Sequence, residues 1–109
     1  MAKEATFIQG GAVIDYTAAA DIVVGQVIPL VSCVGVAQTD ITNGAVGAVA
    51  ITGVYECAAV TTAAFAVGDV LYWDDTNSVL TKTDTSNTKA GICVATKLQA
   101  GATARVKIG

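Results

Sequence analysis

The chain has 109 residues, of which 53% are hydrophobic, 14% charged and 6% aromatic, with 11 glycines, one proline, no histidine and a net charge of −3. A soluble domain is ordinarily roughly 25% charged, so this surface is expected to be built mainly from Thr, Ser, Asn, Gln, Gly and Ala. The length suits one domain with one core, and the lack of histidine removes Ser-His-Asp and Cys-His catalysis together with the commonest transition-metal ligand.

The mean hydropathy of +0.61 does not mark a membrane span, which needs roughly 18 to 20 uninterrupted apolar residues. The most apolar stretch, residues 22–37, is broken by Gly25, Gln26, Pro29, Ser32 and Gly35. The six cations are scattered, four of them late in the chain as Lys89, Lys97, Arg105 and Lys107, so the basic cluster that draws a protein to nucleic acid is missing. The opening Met1-Ala2-Lys3-Glu4 has no apolar run of a secretory signal, and a chain made and folded in a cytosol is expected.

In chain order, residues 1–11 form a more polar arm that carries Phe7 and Ile8 and ends in Gly10-Gly11. Such an arm either frays or orders against a partner, for instance by adding a strand to a sheet edge. Residues 12–109 are expected to form a single β domain. Val, Ile and Thr dominate it, and branched Cβ atoms favour pleated strands over helices. Apolar runs end at Gly, Asn or Asp about every ten residues, the spacing of an all-β sandwich or barrel. Strands are expected at 12–16, 27–36, 45–50, 53–58, 70–73, 79–82, 91–96 and 102–108. Thr42-Asn43-Gly44 and Asp74-Asp75-Thr76-Asn77 supply turn residues, and the wholly polar 83–89 is expected to be a solvent loop. The Ala-rich stretches 17–21 and 61–65 are too short for more than a helical turn.

Three features invite a chemical role. In the strand at 53–58, alternation puts Glu56 on one face with Val54 and Ala58, and Tyr55 with Cys57 on the other; an outward or edge carboxylate is preferred to a buried acid. Asp74 and Asp75 are adjacent turn carboxylates, which ordinarily cap backbone amides rather than form a catalytic dyad or bind a hard cation. Cys33, Cys57 and Cys93 are odd in number and widely spaced, without the CxxC pairs of a zinc site, and are expected to be buried free thiols acting as small hydrophobes. Neither GxxxxGK[ST] nor GxGxxG occurs. No catalytic residue, metal ligand or cofactor is assigned.

Val70-Leu71-Tyr72-Trp73 is apolar on both faces, with Leu71 and Trp73 on one and Tyr72 with Val70 on the other. One face serves the core, and Leu71, Tyr72 and Trp73 are therefore candidates for core or self-association. Val24-Gly25-Gln26-Val27-Ile28 is echoed by Val67-Gly68-Asp69-Val70-Leu71, forty-three positions later. This is a sign either of duplication or merely of how a chain enters a strand from a tight turn, the second being preferred.

Taken together, Gly11-Ala12-Val13-Ile14-Asp15-Tyr16, Val24-Gly25-Gln26-Val27, Val34-Gly35-Val36-Ala37, Gly53-Val54-Tyr55-Glu56, Gly68-Asp69-Val70-Leu71-Tyr72-Trp73-Asp74, Gly91-Ile92-Cys93-Val94-Ala95 and Ala104-Arg105-Val106-Lys107-Ile108 resemble the phage capsid cement, or head decoration, proteins over nearly the whole chain. The Gly-Asp-x-x-Tyr-Trp-Asp segment is the most specific part. The resemblance implies a compact β-fold of the β-tulip kind with an extended N-terminal arm. It implies a virion protein, made in the host bacterial cytoplasm, that binds the outside of an expanded head as a dimer or trimer and clamps neighbouring major capsid subunits. Some relatives carry a RecA-type recombinase label, which a chain without a nucleotide-binding loop contradicts. On this view Lys3, Glu4, Thr6, Phe7 and Ile8 are the expected capsid contacts, with neither nucleic acid nor membrane as a partner. The rival expectations are a self-assembling tail or shell subunit and a small ligand-binding barrel.

Overall fold

The computed structural model describes residues 4–109. Among them are nine strands and no helix: β1 (Val13–Thr17), β2 (Val27–Pro29), β3 (Val34–Ala37), β4 (Val46–Ala50), β5 (Gly53–Ala58), β6 (Val70–Asp74), β7 (Val79–Thr81), β8 (Thr88–Cys93) and β9 (Thr103–Ile108). All strand pairings are antiparallel, in one sheet of order β1-β4-β3-β2 and a second of order β5-β9-β8-β6-β7. The second sheet curls until its outer strands approach at a single bridge, Ala59 to Leu80, where the Val60 amide donates to the Leu80 carbonyl at 3.0 Å. That one contact does not close a barrel. The architecture is two packed sheets.

The expected strand 27–36 is two strands. Pro29 has no amide to continue a ladder, and the chain turns back at once, the Leu30 amide donating to the Cys33 carbonyl at 2.8 Å. The last hairpin is shifted too: β8 starts at Thr88, so the solvent loop expected over 83–89 ends before its last two residues, and the strand expected over 91–96 stops at Cys93. Pairing with Trp73 and Tyr72 recruits the polar Thr88 and Lys89, because a ladder needs only their backbone groups.

The single core expected from length is divided into two apolar clusters. One joins Val34 and Val36 to Phe65, Leu71, Trp73, Leu80, Cys93, Val106 and Ile108. The other joins Ala18, Ile22, Ile28, Ala37, Ile41 and Val49. The divider is β3, buried along its whole length, whose alternate residues serve opposite clusters as the twofold periodicity of a strand requires.

The duplication, not preferred from sequence, is present in the structure. Strand order β1-β4-β3-β2 repeats as β5-β9-β8-β6, with β7 added at the edge. Val27 pairs with Val36 as Val70 pairs with Ile92, and Val36 with Ala50 as Ile92 with Lys107. Ahead of β2 and β6, matching turns place Gly25 (φ 82°) and Gly68 (φ 96°) in the left-handed region, where glycine meets no steric penalty. Each turn is closed by the residue after the glycine: Gln26 Oε1 accepts from the Val23 amide at 3.2 Å and Asp69 Oδ2 from the Ala66 amide at 2.8 Å. The residues just before these turns form matching bridges, Ile22 with Ile41 and Phe65 with Lys97. Thus the molecule is two copies of one four-stranded unit. In each, one sheet face, here called the front, is capped by its own bridge residues.

Candidate interaction surfaces

Residues 4–12 carry no strand. They lead into β1, an edge strand whose pairing is extended by one residue where the Ile51 amide donates to the Ala12 carbonyl at 3.0 Å. Of the expected capsid contacts, Lys3 lies outside the described residues, while Glu4, Thr6, Phe7 and Ile8 are exposed. Phe7 is 86% and Ile8 80% exposed, so two large apolar side chains stand in water without cover from their own chain.

Leu71 and Trp73 are both buried, pointing into the larger cluster, and the Trp73 indole donates to Asp75 Oδ1 at 3.1 Å. Tyr72 is half-buried on the other face of β6 beside exposed Val70. The β6 segment is thus split between two tasks: a core face and an outward face.

The outward face of the second sheet is mixed: Val54, Ile92 and Val70 stand on it beside exposed Glu56, Lys89, Thr103, Arg105 and Lys107. Val54 pairs with Lys107, Lys107 with Ile92 and Ile92 with Val70, which sets the four side chains in one row. Val54 is 57% exposed, and Val70 and Ile92 are each 41% exposed. Lys107 puts a charge in the middle of the row, its exposed ammonium donating to the Gly109 carbonyl at 2.8 Å. The sequence signal for this face was the alternation Val54-Tyr55-Glu56-Cys57, which also placed Glu56 correctly: it is exposed and accepts from Thr103 Oγ1 at 2.9 Å.

Asp74 is fully occupied by its turn. Its carboxylate accepts from the Thr76 and Asn77 amides at 3.1 and 3.2 Å and from the Asn77 side chain at 2.8 Å, and those bonds, the Asn77 side chain foremost, hold its pKa below the usual carboxylate value. Asp69 is lowered as well, first by the Ala66 amide and then by Lys82 at 3.5 Å. These are capping carboxylates.

The cysteines differ from the expectation. Only Cys93 is buried; Cys57 is half-buried and Cys33 exposed, because Cys33 falls in the β2–β3 turn that the expected single strand concealed. Burial, with the Glu56 charge adding to it, raises the Cys57 thiol pKa. Cys33 borders an open cleft of about 290 Å³ shared with Ser32, Lys89, Gly91, Ile92 and Lys107, whose walls are apolar carbons and lysine stems rather than converging polar groups.

Sequence reasoning passed over Lys97. It is 4% exposed, and its ammonium donates to the carbonyls of Ala63 at 2.7 Å, Leu98 at 3.0 Å and Gln99 at 3.2 Å, 4.9 Å from the Phe65 ring centre. All three protons have acceptors, so the charge is satisfied without an anion. Its counterpart in the first unit is Ile41, which bridges Ile22 as Lys97 bridges Phe65, and the sequence echo, confined to residues 24–28 and 67–71, does not reach either.

Among the described residues, no group of three or more His, Cys, Asp or Glu side chains is placed to hold a metal ion, and no helix is long and apolar enough to cross a membrane. Compared with known proteins, residues 8–108 match a family model described as phage cement protein. No curated protein and no solved structure matches the chain.

Proposed function

The chain belongs to the phage cement protein family, and from that premise we propose that it binds the outer surface of an expanded phage head and clamps neighbouring major capsid subunits against internal pressure. The family gives the coarser part, a structural role in the phage capsid. The observation that supports the finer part is the arm: Phe7 and Ile8 are exposed side chains of the kind that concentrate interface energy, on a segment free to lie along another molecule's sheet edge. Glu4 and Thr6 flank them, with Lys3 completing the proposed contact segment.

A cement protein gains by adding buried area at many equivalent joints, so modest interfaces sum to a large stabilisation of the shell. Small Ala and Val side chains suit that role, since they lose little rotamer entropy on docking. In this reading the protein works on the virion exterior after synthesis in the host cytoplasm, associates with itself as a small oligomer, and performs no catalytic step.

Co-sedimentation with empty expanded heads tests the reading. Deleting residues 1–10 is expected to abolish binding while leaving the circular dichroism spectrum and melting temperature of the domain unchanged. Full occupancy by the truncated protein would sink the arm assignment. Polymerisation of the intact protein in the absence of heads would favour a self-assembling tail or shell subunit instead.

A further inference from the structure

Asn43-Gly44 is the one Asn-Gly pair in the chain. Glycine has no side chain to shield its own amide nitrogen, so in such a pair that nitrogen can reach and attack the side-chain amide of the asparagine before it. Asn77 and Asn87 precede Ser78 and Thr88 instead, and their side-chain amides are engaged, with Asp74 Oδ2 at 2.8 Å and with the Thr83 carbonyl at 2.9 Å. Asn43 is exposed, in the connection from β3 to β4. There the Ala45 amide donates to the Thr42 carbonyl at 2.8 Å and Gly44 takes φ 84°, the left-handed value that the third residue of a type II turn requires. Three further hydrogen bonds meet at this corner. The Gly44 amide donates to the Ala18 carbonyl at 2.8 Å, the Ala18 amide to the Ala45 carbonyl at 2.9 Å, and the Asn43 amide to Asp21 Oδ1 at 2.9 Å. Ala18 is 3% exposed and belongs to the smaller apolar cluster. The proton that the attacking nitrogen must lose is therefore held by an acceptor shut away from water.

We propose that Asn43 is a self-modification site, a deamidating asparagine whose rate is set by local opening of this corner. When the bond from Gly44 to Ala18 opens, water takes the Gly44 amide proton and the nitrogen forms a bond to Asn43 Cγ. The Cγ–Nδ2 bond breaks, the leaving nitrogen takes up a proton and departs as ammonia, and a five-membered succinimide remains. Water then adds to one of the two ring carbonyls and opens the ring, leaving aspartate or isoaspartate at position 43. The sum is asparagine plus water to aspartate plus ammonium, with no change of oxidation state. Aspartate adds a carboxylate close to that of Asp21, and like charges repel. Isoaspartate also routes the backbone through Cβ, lengthening the chain by one atom inside the turn. Hydrogen bonds fitted to the shorter chain cannot then all be kept. They hold the end of β1, an edge strand paired only with β4, so the modification loosens the strand into which residues 4–12 lead.

This goes beyond the capsid reading and does not depend on it. The test is to hold the full chain in mildly alkaline buffer, folded or in urea, and to map its peptides by mass spectrometry, with isoaspartate-specific methylation distinguishing the two products. Asn43 is expected to be modified ahead of Asn77 and Asn87 in both states, and at least about tenfold more slowly in the folded chain than in the unfolded one. Asp21→Ala, which removes the acceptor of the Asn43 amide, is expected to speed the folded-state reaction several-fold and to speed hydrogen exchange at the Gly44 amide in step. If that variant does not fold, low urea on the parent replaces it, where Gly44 exchange and Asn43 modification are expected to rise together. In the isoaspartate product the Ile14 and Tyr16 amides of β1 are expected to exchange faster than in the parent. Earlier modification of Asn77 or Asn87, equal rates folded and unfolded, or a rate that does not follow Gly44 exchange would overturn the proposal. Unchanged protection of β1 in the product would overturn the anchoring role given to this corner.

Discussion

Lys97 and Ile41 occupy the same bridge position in the two units, one charged and one apolar, and both are buried. The neighbouring residue accounts for the exchange. A Cβ on Gly47 would run into the Ile41 side chain, and the facing residue in the second unit is Ala104, tolerated beside a lysine that is unbranched at Cβ. The ammonium then ties three loop carbonyls together. Lys97→Ala leaves those carbonyls without a donor and opens a cavity, with an expected loss of about 2 to 4 kcal/mol in urea unfolding. Lys97→Met keeps the stem and is expected to lose less. Asp74 makes a pH-dependent contribution of definite sign. Its pKa is lower folded than unfolded, so its stabilisation is present above the unfolded value of about 3.9 and disappears as pH falls through the depressed folded value. The difference in melting temperature between the parent and Asp74→Ala is expected to be constant from about pH 6 to 8 and to shrink below about pH 4. A gap that widens in acid would contradict the capping role.

At the scale of the element, the most demanding position is Gly91 in β8. A Cβ there would collide with the Lys107 carbonyl of β9, next to the place where β8 shifts register against β6 between Leu71 and Tyr72. Gly35 is tight at the matching place in β3, where an added Cβ would meet Val49 and the Ala50 carbonyl. Gly91→Ala is expected to destabilise the domain by at least about 2 kcal/mol, whereas Gly11→Ala, with nothing within 4 Å of its Cβ, is expected to be neutral. Equal melting curves for the two variants would show that the β8–β9 approach tolerates a methyl group. The same hairpin explains why the loop expected over 83–89 was too long: only the tertiary pairing to Tyr72 and Trp73 decides that Thr88 and Lys89 are strand.

At the scale of the whole molecule, the second unit holds the larger cluster and borrows Val34 and Val36 from the first, while the first has its own smaller one. Unequal cores under one shared strand imply graded opening. Native-state hydrogen exchange is expected to be slowest in β6, β8 and β9, intermediate in β3, and fastest in β1 and in the arm. Uniform protection across both sheets would mean that the units open only together. The flat stack, 52 by 38 by 22 Å along its principal axes, suits a protein whose proposed work is contact rather than chemistry.

The all-β class, most strand positions, the outward Glu56, the capping role of Asp74 and the family were legible in the residues themselves. Each depends on local rules: branched side chains favouring pleats, alternation of period two, turn residues binding their own backbone, and motif order along the chain. The repeat was legible only in part, because the echo at Val24 and Val67 is local whereas its proof lies in matched pairings between distant strands. The split of 27–36, the exposure of Cys33, the satisfied charge of Lys97 and the uncovered row through Val54 and Ile92 were decided by tertiary structure. Whether an apolar residue is core or surface depends on what the rest of the chain lays over it: of the equivalent valines of the two units, Val27 packs against the larger cluster and Val70 is open.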